Sequence, residues 1–212
     1  MIIAVDGPAA SGKGTVARRV AVHYGLPYLD TGALYRATAL SVLDNNGNLE
    51  DGENAALHAS KLKAETLEDP RLRNRTVGAS ASVVAGHPEV RQALMEYQRN
   101  FAAKERGAVL DGRDIGTVIC PDADVKLFVT ASVEERARRR FAELKIRGED
   151  VDPEQVLADI VERDKRDMSR STAPLRQSAD SYLLDTTNLD IEATFKAAVK
   201  VIDDMIRRTG CA

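Results

Sequence analysis

The chain has 212 residues, 43% hydrophobic and 30% charged, which is long and apolar enough for one domain with a buried core. Its 30 basic and 33 acidic side chains give a net charge of −3, which excludes a bulk attraction to nucleic acid or an acidic membrane. Any anion site must therefore be local. Cys120 and Cys211 lack metal or redox spacing, and we find neither a signal-peptide pattern nor an apolar run of about 18 residues. These features predict a cytoplasmic protein without a membrane partner.

The first elements alternate between strand and helix. Residues 2–6 are apolar and β-branched, which predicts a buried strand. Residues 13–24 predict a helix that ends at Gly25. The stretch "LPYLD" (26–30) predicts a second strand, and residues 32–43 predict a second helix.

The middle of the chain leaves this pattern and then returns to it. Residues 49–88 are weakly patterned and predict an insertion outside the main sheet. A helix should begin at Pro88 and end at Gly107. The runs "AVLD" (108–111) and "VKLFVT" (125–130) predict buried strands.

Capping signals mark the remaining helices. Ser132 with Glu135 forms a capping box, and Asp152 opens another helix. Residues 182–186 predict a fifth strand, and Asp190 caps a final helix. Strands that alternate with helices predict an α/β fold with a parallel sheet.

The glycine-rich stretch "GPAASGKGT" follows a strand and enters a helix, the context of a phosphate-binding P-loop. Its backbone N–H groups would surround an anion, and Lys13 would reach the β- and γ-phosphates of ATP. Gly14 stands where Ser or Thr usually follows the lysine. Mg²⁺ should therefore be held mostly through water and phosphate, with Thr15 and the strand-terminal Asp111 as candidate ligands. The predicted ATP-binding residues are Gly7, Pro8, Ala9, Ala10, Ser11, Gly12, Lys13, Gly14 and Thr15.

Charged side chains also follow the second and third strands. "DTGALYR" places Thr31 and Arg36 after one strand, and "VLDGRDIG" places Arg113 and Asp114 after the next. Ligands of open α/β sheets bind at this carboxyl edge. The chain has no Asn-Lys-x-Asp motif for guanine, and arginines neutralise the charge of phosphoryl transfer. A kinase for a small phosphorylated acceptor fits best, although a surface position for Arg36 stays open.

The helix that begins at Asp152 carries a charged flank. Arg163, Arg166, Asp167 and Arg170 fall at i, i+3, i+4 and i+7, so they share one side of the helix. A solvated ladder of ion pairs is the alternative, but three arginines against one aspartate leave spare donors for an anion. The predicted apolar stripe of this helix comprises Leu157, Ile160 and Val161.

The segment "EERARRRFAELKIRGE" is the most basic part of the chain. Four arginines are distributed around this predicted helix, so they cannot all contact one phosphate: Arg136, Arg138, Arg139 and Arg140. Nucleic-acid binding is one interpretation, but the patch is short and has no aromatic platform. A lid that closes over ATP and excludes water is favoured. The predicted buried side consists of Val133, Ala137, Phe141 and Leu144.

Taken together, the motifs "DGPAASGKGT", "LDTGALYR", "VRQALMEYQRNF", "DGRDIGTVICPDADVKLFVTAS", "ERARRR" and "ERDKRDMSR…APL" resemble the bacterial cytidylate kinases over nearly the full length. The resemblance implies a P-loop kinase fold: a five-stranded parallel sheet with helices on both faces, a small insertion that binds the nucleoside monophosphate, and a short lid. We therefore expect a single domain over residues 1–212, with its core at about 1–48 and 107–212, the insertion at about 49–106 and the lid at about 138–165.

The resemblance also implies roles for individual residues. The α-phosphate of CMP would be held by Arg36 and Arg113. The cytosine pocket would be lined by Thr31, Ser82, Arg91, Asp114 and Arg170. The ribose would be held by Arg163 and Asp167. The side chains expected to act in catalysis are Lys13, Arg139, which matches the lid arginine, and Arg163.

Base chemistry supports this interpretation. Cytosine offers an amino donor at N4 and acceptors at N3 and O2, which suit the carboxylate of Asp114 and the guanidinium of Arg91. The expected reaction is the transfer of phosphate from ATP to CMP or dCMP with Mg²⁺, by a monomer that does not bind nucleic acid. A kinase for UMP, AMP or shikimate stays open, as does a non-catalytic nucleotide switch or an RNA-binding regulator.

Overall fold

The computed structural model describes residues 1–209, so Cys211 lies outside the described part of the chain. Five parallel strands form one sheet in the order β2-β3-β1-β4-β5, which confirms the predicted α/β class. The strands are β1 (Ile2–Asp6), β2 (Tyr28–Asp30), β3 (Ala108–Gly112), β4 (Val125–Thr130) and β5 (Tyr182–Asp185). The α-helices are α1 (Lys13–Tyr24), α2 (Thr31–Asp44), α3 (Gly52–Ser60), α4 (Arg75–Val84), α5 (Pro88–Ala102), α6 (Val133–Ile146), α7 (Pro153–Ser169) and α8 (Ile191–Thr209).

The central strand β1 has apolar side chains on both faces, as a strand buried between two helical layers requires. Ile3 and Val5 pack with residues of α1 and α8 on one face. Ala4 packs on the other face with residues of α2, α3, α4 and α5. The predicted helices on both sides of the sheet are therefore confirmed.

Residues 49–88 are more ordered than their weak pattern indicated. They form α3, α4 and two short 3₁₀ helices, Ala64–Glu68 and Pro70–Arg73. Helix α4 buries the small residues Gly78, Ser80 and Ser82 beside the apolar Val77 and Val84. The following helix α5 ends at Ala102, earlier than the expected stop at Gly107.

Most predicted helix caps are present. Ser132 accepts a hydrogen bond from the Glu135 N–H at 3.2 Å and opens α6. Asp190 likewise accepts from the Ala193 N–H at 2.7 Å before α8. None of the helices in residues 1–209 is long and apolar enough to cross a membrane.

The predicted apolar stripe of α7 was wrong in part. Val161 is half exposed, and the side of α7 that packs inward carries Val156, Ile160 and the charged Asp167. The stripe was misassigned because a buried aspartate runs against the rule that buried helix faces are apolar. For the same reason the sequence did not indicate that Arg136 of α6 is only 5% exposed.

Candidate active site

A cavity of about 540 Å³ opens at the carboxyl edge of the sheet, between the P-loop, α4 and α7. Eleven lysine and arginine side chains line it against five carboxylates, although the whole chain is net negative. The positive charge is therefore concentrated where a polyanion would bind. The predicted site residues that line this cavity are Ala9, Ala10, Lys13, Gly14, Thr15, Thr31, Arg36, Ser82, Arg91, Asp111, Arg113, Asp114, Arg163, Asp167 and Arg170.

The P-loop connects β1 to α1 beneath this cavity. Gly7 has φ 151°, and a Cβ there would lie 2.0 Å from the carbonyl oxygen of Val129, so only glycine fits. Ala10 has φ 57° and Gly12 φ 87°, left-handed conformations that let successive N–H groups turn toward an anion. The hydroxyl of Ser11 is buried and makes no hydrogen bond within the described residues as a donor or acceptor. Gly7, Pro8, Ser11 and Gly12 do not line the cavity themselves.

Lys13 is held in the cavity by a carboxylate. Its Nζ lies 3.6 Å from Asp111 Oδ1, and its side chain is 11% exposed. Burial lowers the pKa of Lys13 to about 8, helped by the charge of Arg113 and opposed by Asp111 and Asp30. The binding of a phosphate would therefore cost little further desolvation of Lys13.

The same carboxylate explains why glycine follows the lysine. A Cβ on Gly14 would lie 2.9 Å from Asp111 Oδ2, so a Ser or Thr there would collide with Asp111. The hydroxyl of Tyr28 donates to that oxygen at 3.2 Å. A side chain at position 14 would therefore have to displace the carboxylate of Asp111.

The cavity offers oxygen donors that fit Mg²⁺. Asp30 stands opposite Asp111 in the register of β2 and β3, and the exposed Thr15 also lines the cavity. Burial raises the pKa of Asp111, with the negative charge of Asp30 adding to it. A divalent cation would relieve this repulsion, and carboxylate and hydroxyl oxygens are the donors that Mg²⁺ prefers.

Within residues 1–209 no cluster of three or more His, Cys, Asp or Glu side chains could hold a metal alone. Phosphate oxygens and water would have to complete the coordination. The sequence analysis did not include Asp30. Its position at the end of β2 matches that of Asp111 near the end of β3, and this position was the available signal.

Three arginines in the cavity keep donors that make no hydrogen bond among the described residues. Arg36 binds Asp30 Oδ2 through Nη2 at 2.7 Å, but its buried Nε has no acceptor. The Nε of Arg163 and the Nη2 of Arg170 are likewise buried without a hydrogen-bond acceptor. Burial lowers the pKa of Arg163 to about 10, aided by the nearby charge of Arg113. Buried donors without acceptors are costly, so a ligand rich in oxygen would stabilise this arrangement.

One wall of the cavity carries a buried ion pair between Asp114 and Arg91. The two side chains are each about 5% exposed and are joined through Arg91 Nη2 and Asp114 Oδ2. Arg170 Nη2 lies 4.0 Å from the other carboxylate oxygen, and the Arg91 guanidinium lies 5.6 Å from the ring centre of Tyr35. The structure thus brings together a carboxylate and two guanidinium groups at one end of the cavity, beside an aromatic ring.

The other residues predicted near the acceptor have protein partners. Arg113 Nε donates to Asp167 Oδ2 at 2.9 Å. Burial would raise the pKa of Asp167, but the charges of Arg113 and Arg163 lower it overall. The Thr31 hydroxyl donates to the Asp111 carbonyl at 2.8 Å, and the Ser82 hydroxyl donates to a carbonyl of its own helix. The Thr31 hydroxyl therefore keeps acceptor capacity only, whereas the Ser82 hydroxyl already accepts from Arg166 Nη1 at 2.7 Å.

Arg139 lies outside the cavity, against the back of the P-loop. It donates to the carbonyl oxygens of Ser11 at 3.3 Å and Thr186 at 2.7 Å, and pairs with Glu135. The neighbouring Arg140 and Arg147 line the cavity instead. Arg139 is expected in catalysis only because it matches the lid arginine of the resembled family, and its position between Arg138 and Arg140 adds no independent signal.

The buried Arg136 ties the P-loop to the helices of the lid region. It donates to the Ala9 carbonyl at 3.3 Å and to both carboxylate oxygens of Asp164, at 3.1 and 2.6 Å. Sequence reasoning treated Arg136 as one of several surface arginines. No signal in the sequence separates it from its neighbours.

A parallel sheet whose central strand feeds a P-loop, beside a cavity rich in arginine, defines the class of P-loop phosphotransferases. Comparison with known proteins narrows the class. The model of the family "Cytidylate kinase" matches residues 3–204. A cytidylate kinase of Rhodopseudomonas palustris is 57% identical over 203 residues, 96% of each chain. One of Methylocella silvestris is 59% identical over 203 residues, 96% of this chain and 94% of the other.

The chain therefore belongs to the cytidylate kinase family, and it is a kinase. Among solved structures, an uncharacterized protein from Eubacterium ventriosum aligns with a TM-score of 0.56 at 16% identity, covering 96% of this chain and 98% of that one. That likeness supports the fold alone.

Proposed function

We propose that this protein transfers the terminal phosphoryl group of ATP to CMP and to dCMP, forming ADP and the corresponding diphosphate, with Mg²⁺. The observation that carries the proposal is one cavity with a phosphate loop at one end and the buried Asp114–Arg91–Arg170 group at the other. The membership of the cytidylate kinase family supports the same acceptor.

The phosphate region suits two polyanions that approach each other. Lys13 and the P-loop backbone would bind the phosphates of ATP, while Arg36 and Arg113 would bind the α-phosphate of the acceptor. The unpartnered Nε of Arg36 and of Arg163 are donors available for this purpose. Positioning and charge neutralisation carry the rate in phosphoryl transfer, so no side-chain nucleophile is needed.

A bound Mg²⁺ would supply positive charge that offsets the charge of the phosphates. Asp111 and Asp30 would hold it, directly or through water, and Thr15 would contribute a hydroxyl. The present contact between Asp111 and Lys13 keeps both side chains directed at the place where phosphates would arrive. Tyr28 fixes the orientation of Asp111 through its hydroxyl.

The base end suits cytosine better than uracil. Asp114 has only acceptor oxygens for a ligand, whereas Arg91 and Arg170 have only donors. Cytosine presents one amino donor and two acceptors to such a group, and uracil replaces the donor by a carbonyl oxygen that Asp114 repels. A buried group left unmatched discriminates strongly between substrates. The sugar would meet Asp167 and Arg163, and dCMP keeps the base and the phosphate on which recognition depends.

The basic segment of α6 supports a small-molecule role rather than nucleic-acid binding. Arg138 and Arg139 both pair with Glu135, and Arg140 pairs with Glu143. These pairs occupy part of the donors of α6, which leaves fewer of them for a phosphate backbone. We propose further that the protein acts as a monomer; its cytoplasmic location stays a prediction from cysteine usage.

A coupled assay of ADP release tests the proposal. ATP and Mg²⁺ are held constant while CMP, dCMP, UMP, AMP and shikimate are offered in turn, with no acceptor as the blank. We expect kcat/KM to be highest for CMP and dCMP. A higher value for another acceptor, or ADP release that does not depend on an acceptor, would reject it.

A further inference from the structure

A buried carboxylate beside the cavity has a place in the structure that the proposed function does not use. Asp6 ends β1 directly before the P-loop and is 6% exposed. Its Oδ1 accepts from the Ile115 N–H and its Oδ2 from the Gly116 N–H, both at 2.8 Å. Both oxygens of Asp6 are thus directed at consecutive backbone groups of another strand's loop.

Those two N–H groups belong to the residues directly after Asp114. Residues 115–119 form a single π-helical turn, and the carbonyl of Asp114 accepts from Val118 at 2.8 Å and Ile119 at 3.2 Å. The first N–H groups of such a turn have no partner inside it. Asp6 supplies that partner. The backbone at Asp114 is therefore fixed twice: its carbonyl is bonded within the turn, and the two N–H groups that follow it are bonded to Asp6.

The register of the sheet makes this connection short. Asp6 lies opposite Gly112 in the pairing of β1 with β3, and Gly112 comes two residues before Asp114. Asp6 therefore joins the entry of the P-loop to the loop that carries Arg113 and Asp114. A single carboxylate thus adds a direct link between the two loops beyond the strand pairing.

We propose that Asp6 is a positioning residue for acceptor recognition: its bonds to Ile115 and Gly116 hold Asp114 in the orientation that selects the base. The inference rests on the proposed function, in which Asp114 accepts from the amino group of cytosine. Asp6 acts through the backbone, so it contacts neither substrate. Its loss should affect the acceptor far more than ATP.

The test is Asp6→Asn, which keeps the volume but leaves one acceptor oxygen and turns an amide donor toward the second backbone N–H. We expect KM for CMP to rise about 10- to 100-fold and the CMP preference over UMP to fall, because a charge-assisted bond that fixes Asp114 is lost. The Kd of ATP, titrated without acceptor, should change less than about twofold. An unchanged KM for CMP, or an equal loss of ATP affinity, would overturn the proposal.

A matched control lies at the other end of the same strand. Asp124 Oδ2 accepts from the Ile2 N–H at 2.6 Å, so Asp124→Asn removes a carboxylate–backbone bond far from the acceptor loop. It should lower the melting temperature and leave KM for CMP unchanged. A rise in KM equal to that of Asp6→Asn would show that any loosening of β1 has this effect, which contradicts a positioning role.

A measurement on the unaltered protein keeps the idea testable if Asp6→Asn does not fold. Hydrogen exchange of the Ile115 and Gly116 amides, followed by NMR, should be slow before CMP is added. Fast exchange until CMP binds would mean that Asp6 does not hold the loop. If the unaltered protein fails to phosphorylate CMP, the proposed function fails. Slow exchange of the two amides would in that case still support their contact with Asp6.

Discussion

Asp114→Asn should reverse part of the acceptor preference. The asparagine keeps the side-chain volume, but it loses the charge and replaces one acceptor oxygen by an NH₂ donor. Asp114 forms an ion pair with Arg91, and its Oδ1 lies 4.0 Å from Arg170 Nη2. Because Asp114 is buried, a base that contacts it would be buried as well. Loss of a charged hydrogen bond to the cytosine amino group costs about 1.5–3 kcal/mol, or roughly 10- to 150-fold in kcat/KM for CMP. For UMP the repulsion with O4 disappears, and kcat/KM should hold or rise.

The assay compares kcat/KM for CMP and UMP in the unaltered protein and the variant. The variant can be less stable, because Arg91 loses its charged partner in a buried site. The ratio of kcat/KM for CMP to that for UMP does not depend on the fraction of protein that is folded. Asp167→Asn is the matched control, a buried aspartate of the same cavity that pairs with Arg113, and it should lower both constants alike. A parallel fall for both acceptors in Asp114→Asn would refute base recognition and leave Asp114 as a partner of Arg91 only.

Three further predictions concern the phosphate region and pH. Lys13→Ala should keep its circular dichroism spectrum but lose about a hundredfold or more in kcat, and a near-normal kcat would remove Lys13 from the reaction. Arg36→Ala and Arg113→Ala should impair CMP kinetics and leave the Kd of ATP almost unchanged; a large ATP defect would place them on the other substrate. Burial raises the pKa of Asp6 to about 7. Below that pH the protonated carboxyl cannot accept two N–H groups, so KM for CMP should rise from pH 8 to pH 6. The phosphate of CMP titrates in the same way with the variant Asp6→Asn. The variant should therefore show only that effect and lack the added rise in KM.

The sheet and the P-loop could be predicted because local and global signals agree there. Each strand is a short apolar run next to a glycine or a capping residue, and the P-loop glycines are required by contacts such as that of Gly7 with Val129. Helices α3 and α4 could not be predicted with the same ease. They are short, and buried small residues such as Ser80 and Ser82 stand among the few large apolar side chains that would reveal a helix.

The candidate site divides in the same way. Position after a strand indicated Arg36, Arg113 and Asp114, which the structure brings into one cavity. The partners Tyr28 and Asp6 were missed because their importance lies in bonds to other strands, which a single sequence does not display. The sequence pattern identifies Asp6 only as the last residue of a strand.

The most direct measurement of the central claim is the identification of the product by anion-exchange chromatography after incubation with ATP, Mg²⁺ and CMP. We expect CDP to form in a one-to-one ratio with ADP, and no ADP to form without CMP. ADP without CDP, or an equal yield of UDP when UMP replaces CMP, would contradict a cavity built to select cytosine.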